Sequence, residues 1–322
     1  MNRALKKFAE DGKFTIGKQD LPKQEWIDSG SYVLNYALGG GYPIGKMIEV
    51  YGPPSSGKSL LSLVAEANVT RQKKYVLHCD LEGNHTTQEL NLWRESFGVD
   101  MDYVLQINQT YAEELIDNTV EILTKSGKDI PLMIVDSIGA LTSEKTLSKK
   151  ADEATVAVEA KLIARWTRQL LPVSQHTCIL FLNHTMAKIG SYMGGTTTKG
   201  GESIKFFSGI RLEVKGKKIK DPRGELYGAV SHEITACTRK NKTAPPERTA
   251  TMDFDYQTMT FDIATELLLL GQQIGMIESK PPMYSLEYNG EVLKFKGREA
   301  VKDAIRKDEG LREYLTRSIF GR

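Results

Sequence analysis

Apolar and polar positions alternate along this chain between two kinds of run. Short apolar stretches end abruptly in charged or polar residues, and longer stretches repeat their apolar residues at helical spacing. Lys46-Met47-Ile48-Glu49-Val50-Tyr51 reads as a buried strand, and Leu60 to Thr70 as the helix that follows it. Lys74 to Cys79 is a second strand, running straight into Asp80-Leu81-Glu82. Pro131 to Val135 is a third, ending in Asp136-Ser137, and Cys178 to Leu182 a fourth, ending in Asn183-His184. Between the last two, Leu162, Ile163, Trp166, Leu170 and Leu171 recur at helical spacing, which predicts a parallel β-α-β crossover with Trp166 in the core. Upstream, Asp28-Ser29-Gly30-Ser31 can cap a helix carrying Leu34, Tyr36, Ala37 and Leu38, broken by Gly39-Gly40-Gly41-Tyr42-Pro43. The fold class is therefore α/β, a mostly parallel sheet flanked by helices.

Both ends differ from this middle. Asn2 to Glu10 reads as a short charged helix and is followed by a linker through about Gln24. Residues 1–28 are thus expected to form an N-terminal oligomerisation arm, with a frayed terminus as the alternative. Leu267 to Ile277 reads as an amphipathic helix ended by Lys280-Pro281-Pro282. Tyr284 to Glu291 has the Asn-Gly signature of a hairpin, and Arg298 to Phe320 reads as one or two helices. A small α+β domain over 267–322 is expected behind a core over 29–266.

Composition narrows the class without deciding it. The 322 residues suffice for a large domain plus a smaller one. With 43 basic and 41 acidic residues the net charge is only +2, so any nucleic-acid surface has to be local. Cys79, Cys178 and Cys237 are dispersed, which argues against a disulfide framework or a zinc site and suits a cytoplasmic protein. No apolar run reaches membrane-spanning length, and no membrane partner is expected.

Candidate chemistry gathers at the strand ends. Gly52-Pro53-Pro54-Ser55-Ser56-Gly57-Lys58-Ser59, with Leu60 behind it, has the spacing of a phosphate-binding P-loop between a strand and a helix. Backbone N–H groups at such a helix start surround a polyphosphate. Lys58 adds a point charge and Ser59 a hydroxyl for Mg²⁺, so ATP or GTP is the expected ligand. Glu82 can hold the water that attacks the γ-phosphate, with Asp80 orienting it; the alternative is a pair of solvated acids capping a helix. Asp136 has the place of the acid that holds the Mg²⁺ shell. His184 is either a γ-phosphate sensor or a lone surface histidine.

Two stretches stand out by composition: Leu147 to Ala157 is polar and charged, and Thr185 to Glu202 is too long and glycine-rich for a tight connection. The second carries Lys188, Tyr192, three consecutive threonines, Gly194-Gly195 and Gly200-Gly201, and suits a nucleotide-gated element that binds a polymer; a plain loop is the alternative. Lys215, Lys217, Lys218 and Lys220 with Arg223 form one basic cluster, and Arg239-Lys240-Asn241-Lys242 a second. Each is either a solvated face or a contact to a phosphate backbone.

Taken together, the P-loop run, Asp80-Leu81-Glu82, Val135-Asp136-Ser137-Ile138-Gly139-Ala140-Leu141-Thr142, Met186-Ala187-Lys188-Ile189-Gly190, Thr196-Thr197-Thr198-Lys199-Gly200-Gly201 and Lys240-Asn241-Lys242 resemble the bacterial RecA recombinases from about Ser29 onward. The resemblance implies a DNA-dependent ATPase that forms helical filaments on single-stranded DNA and exchanges strands with homologous double-stranded DNA, using ATP and Mg²⁺. Glu82 would be the hydrolytic base, Lys58, Ser59 and Asp136 the phosphate and metal ligands, and Lys240 and Lys242 would reach the ATP of a neighbouring protomer. DNA would lie on two loops, around Leu147 to Ala157 and Thr185 to Phe206. Val156 and Ile189 are candidate wedges, Lys161 and Arg168 phosphate contacts, and Met186, Lys188, Tyr192, Met193, Gly200 and Gly201 further loop residues.

This sequence departs from the family at several points. Bacterial RecA has glutamine where this chain has His184, as the similar phage UvsX branch has histidine, so a phage-type member is expected. Trp93 stands where an adenine-stacking aromatic is expected, with core packing as the other reading. Thr235 and Cys237 replace basic residues before the Lys-Asn-Lys triplet, which moves the expected duplex site to Lys215, Lys217 and Lys218. No acidic tail follows at Arg322, which implies weaker autoinhibition of duplex binding. The rival functions are a hexameric helicase-like motor on the same fold, and a DNA-binding filament that ATP switches with little hydrolysis.

Overall fold

The computed structural model describes residues 23–83, 87–107, 111–144, 156–187 and 196–321. The expected arm helix Asn2 to Glu10, the first loop up to residue 155, and Lys188, Ile189, Tyr192 and Met193 lie outside them.

In chain order the strands are β1 (Trp26–Ile27), β2 (Tyr42–Pro43), β3 (Met47–Gly52), β4 (Val76–Asp80), β5 (Val104–Ile107), β6 (Leu132–Asp136), β7 (Cys178–Ala187), β8 (Thr196–Thr198), β9 (Ile210–Lys220), β10 (Ala229–Asn241), β11 (Thr249–Asp255), β12 (Thr260–Phe261), β13 (Ile277–Lys280), β14 (Met283–Tyr288) and β15 (Glu291–Lys296). The central sheet runs β12-β11-β10-β9-β3-β7-β6-β4-β5. Strands β9, β3, β7, β6, β4 and β5 are parallel, and β10 to β12 extend the sheet antiparallel.

The parallel strands are apolar throughout because helices cover both faces. Ile48, Val76, Ile134 and Leu180 pack beneath helix Lys58–Thr70, while Met47, Leu77, Met133 and Ile179 meet Leu115 and Trp166 on the other side. Trp166 is fully buried, and its Nε1 donates to Thr119 Oγ1 at 2.9 Å, so the core reading of this residue holds. Helices Thr87–Ser96, Ala112–Ser126 and Val156–Val173 complete the layers. Among the described residues no helix is long and apolar enough to cross a membrane.

Three boundaries differ from the sequence pattern. Trp26–Ile27 pairs with Tyr42–Pro43, so the end of the expected arm is an edge of the core. The stretch from Thr185 is shorter as a loop than its composition suggests, because Thr185 to Ala187 pair antiparallel with Thr196 to Thr198. The C-terminal helix is Ile263–Gln273, earlier than its leucines imply, because Asp262 caps it by accepting from Thr265 N. Ile277 to Lys280 is then strand, paired with β14, and the Asn289-Gly290 turn joins β14 to β15 with positive φ at both residues. Helices Arg298–Lys307 and Glu309–Phe320 close a separate apolar cluster, against which Tyr32, Val33 and Tyr36 of the core also pack.

Candidate functional site

Parallel strands deliver their carboxyl ends to one edge of the sheet, where the switch in strand order opens a crevice. Register places Gly52 beside His184 and Asp80 beside Asp136 at that edge. A cleft of about 350 Å³ lies there. Residues Pro54 to Leu60 line it, with Asp80, Glu82, Trp93, Asp136 and His184.

The loop turns into its helix at Gly57, whose φ of 98° is left-handed, a conformation that a side chain would strain. Lys58 Nζ donates to Pro53 O at 2.8 Å and Gly52 O at 3.2 Å. Burial pushes the Lys58 ammonium below its usual range, opposed by the charges of Asp136 and Glu82. Burial raises the Asp136 carboxyl above its usual range, with the neighbouring Ser59 hydroxyl acting against that rise. Both groups present oxygen, the donor that Mg²⁺ takes.

Glu82 is held by two donors. His184 Nε2 donates to its Oε1 at 2.9 Å, and the Ser137 hydroxyl donates to the same oxygen. Burial alone would raise the Glu82 carboxyl, but Ser137, His184 and the charge of Lys58 together hold it below the usual carboxylate range. The site thus brings an ionised carboxylate, a cation and a metal-suited oxygen pair to one phosphate loop.

Strand β7 connects this carboxylate to the second loop. Asn183 Oδ1 accepts from His184 N, and Asn183 Nδ2 donates to Lys199 O at 2.8 Å and Glu49 Oε1 at 3.0 Å. Lys199 Nζ donates to Gly139 O at 2.6 Å, beside Ser137 and His184. Met186 is exposed on the same strand. Gly200, with φ 92°, caps helix Gly201–Phe207 and packs on Ile163, so this pair has a structural place at the foot of the loop.

Other expected residues divide. Trp93 lines the cleft with its ring 6.2 Å from that of Phe97, and at 46% exposure it is not a core residue. Lys161 and Arg168 are exposed two turns apart on one helix face, with Arg165 between them near Asp117 at 3.7 Å. Helix Val156–Val173 begins at Val156, whose side chain lies outside the description. Lys240 and Lys242 sit away from the cleft of their own chain. Lys240 lies opposite Arg211, near the start of β3, and its Nζ donates to Lys205 O and Phe206 O at 2.8 and 2.9 Å. Burial, then Lys242 and Arg211, lower its ammonium below the usual range.

Sequence reasoning missed several residues in and beside the cleft. Ser137 was visible beside Asp136 but was given no role. His78 reaches the cleft from β4, its Nδ1 3.2 Å from Glu66 Oε2, with Arg94 Nε 3.4 Å from Glu66 Oε1; no local pattern joins these three buried residues. His232 and Tyr256 come from the antiparallel extension, distant in sequence from the loop they face.

Comparison with known proteins accords with this geometry. The family model for the RecA N-terminal domain matches residues 1–260. Protein RecA of Bacteroides thetaiotaomicron is 31% identical over 99% of this chain and 94% of its own length. Protein RecA of Porphyromonas gingivalis is 32% identical over 98% and 90%, and that of Bacillus thuringiensis 31% over 96% and 88%. A crystal structure of the RadB recombinase superposes on 72% of this chain and 97% of its own with a TM-score of 0.53. At 18% identity that likeness concerns the fold alone.

Proposed function

The chain belongs to the RecA family and is a RecA-type recombinase and DNA-dependent ATPase, and on that premise we propose that the P-loop cleft hydrolyses ATP within filaments assembled on single-stranded DNA, which then exchange strands with a homologous duplex. The observation that carries the assignment of roles is Glu82, an ionised carboxylate clamped by Ser137 and His184 at the mouth of the P-loop.

In this mechanism backbone N–H groups of Ser55 to Ser59 surround the phosphates and Lys58 moves from the loop carbonyls to the β- and γ-phosphates. Ser59 and Asp136 would hold Mg²⁺, which offsets phosphate charge when bound. Glu82 takes the proton of the attacking water, and Trp93 stacks on the base. His184 contacts the γ-phosphate. Loss of that contact is passed through Asn183 and Lys199 to both strands of the β7-β8 ladder, and so to the DNA loop. Lys161 and Arg168 contact the DNA backbone.

Hydrolysis measured with and without single-stranded DNA, alongside exchange between a labelled oligonucleotide and its homologous duplex, tests the proposal. Wild type is expected to show stimulated hydrolysis and homology-dependent exchange, and Glu82→Gln to lose about 100-fold or more of the stimulated turnover while still binding ATP. Stimulation without exchange would instead indicate a DNA motor, and full turnover in Glu82→Gln would remove Glu82 from its role.

A further inference from the structure

Strand β9 carries its lysines on two faces. Alternation puts Lys215 and Lys217 with Glu213, and Val214, Gly216 and Lys218 on the side that meets the P-loop. Gly216 is the point of closest approach. A Cβ there would lie 2.6 Å from Ser56 O and 2.3 Å from His232 Nε2, so only glycine lets the hairpin seat against the loop.

Two residues further on, Lys218 pairs across the ladder with His232, and both line the cleft with Tyr256. His232 is only 2% exposed. Its Nδ1 lies 3.2 Å from Tyr256 Oη, and its Nε2 is buried without a partner among the described residues. Burial, then the charge of Lys218, hold this imidazole below its usual pKa and hence neutral near pH 7. Lys218 itself makes no ion pair with a described residue.

Sheet order fixes the direction of approach. Strands β9 and β10 lie on one side of β3, whereas β7, β6 and β4, with His184, Asp136 and the Asp80-Glu82 turn, lie on the other. A polyphosphate on the loop therefore has the carboxylates and their metal on one flank and the Lys218 ammonium on the other. We propose that Lys218 is a nucleotide-binding residue, whose ammonium pairs with the phosphate chain of the bound nucleoside triphosphate across the cleft from Glu82 and Asp136, above the buried His232 ring. This replaces the duplex-DNA role that its basic neighbours suggested, and it rests on the reading of the cleft as an ATP site.

The test compares Mg-ATP dissociation constants of full-length wild type, Lys218→Met, Lys217→Met and Lys58→Ala, without DNA, at low and high salt. Both β9 lysines are exposed, so neither substitution disturbs the core. Lys217→Met, from the opposite face, gives the size of the general field effect alone. Lys218→Met is expected to weaken ATP by about tenfold, to weaken AMP much less, and to lose most of its penalty at high salt. A change within twofold of wild type, an equal loss in Lys217→Met, or an equal loss for ATP and AMP would overturn the assignment. Lys58→Ala separates the two levels: if it binds ATP like wild type the cleft reading itself fails, whereas loss there without loss in Lys218→Met refutes Lys218 alone.

Discussion

A carboxylate that serves as a base near neutral pH has to be ionised while remaining partly shielded from water. Glu82 meets both demands through its neighbours, because burial raises its carboxyl while Ser137, His184 and the charge of Lys58 together lower it further than burial raises it. The sign of the pH dependence follows. Activity that needs ionised Glu82 falls as pH drops through its depressed pKa, and removing a donor moves that pKa upward. Ser137→Ala is therefore expected to shift the acid limb of the kcat profile to higher pH, leaving the plateau closer to wild type than Glu82→Gln does. An unmoved limb would mean that the Ser137 contact does not act on the base. Glu82 and Asp136 were legible as strand-end acids. Ser137 was not, because a serine has no pattern of its own until a partner from another strand stands beside it.

Between elements, Glu266 joins the C-terminal module to the core. It sits on helix Ile263–Gln273, nearly fully buried, and accepts from Ser31 Oγ at 2.9 Å and Tyr32 N at 2.6 Å at the start of helix Tyr32–Leu38. Burial raises its carboxyl from an ordinary 4.5 to about 7, against the pull of these donors. A raised folded-state pKa means that the protonated form favours folding. The contribution is complete below about pH 4.5 and is lost as pH rises through about 7, a term on the order of 3 kcal/mol. Glu266→Gln is expected to flatten the pH dependence of denaturant stability across that window. An unchanged slope would show that another group carries it. The helix itself was legible from its leucines, but its start was not, because Asp262 caps it five residues before the first of them.

At the scale of the whole molecule the sheet keeps Lys240 and Lys242 from the cleft of their own chain. Lys240 pairs with Arg211, while the P-loop lies beside Val214, three residues further along β9, so at about 3.3 Å per residue they are separated by about 10 Å along the strand. We propose that Lys240 and Lys242 complete the ATP site of an adjacent protomer, as an arginine finger supplied in trans would. Mixing tests this directly. Glu82→Gln chains keep the lysines, and Lys240→Ala/Lys242→Ala chains keep the base, so each is expected to be inactive alone. An equal mixture has about one interface in four with both parts and should recover roughly a quarter of wild-type turnover through its head-to-tail contacts. No recovery would place the lysines in a single-chain role.

The sequence by itself determined the order of elements, the P-loop and the acids at the strand ends, because these depend on local periodicity and fixed spacing. It also carried the family resemblance. Only the tertiary structure decided which distant groups share the cleft. Pleating turned Lys218 toward the P-loop and Lys217 away from it, strand pairing set His232 beside Lys218, and sheet order put both across from Asp136. The physical reason is that hydrogen-bonded register between strands, which no local stretch encodes, sets the neighbours of a side chain.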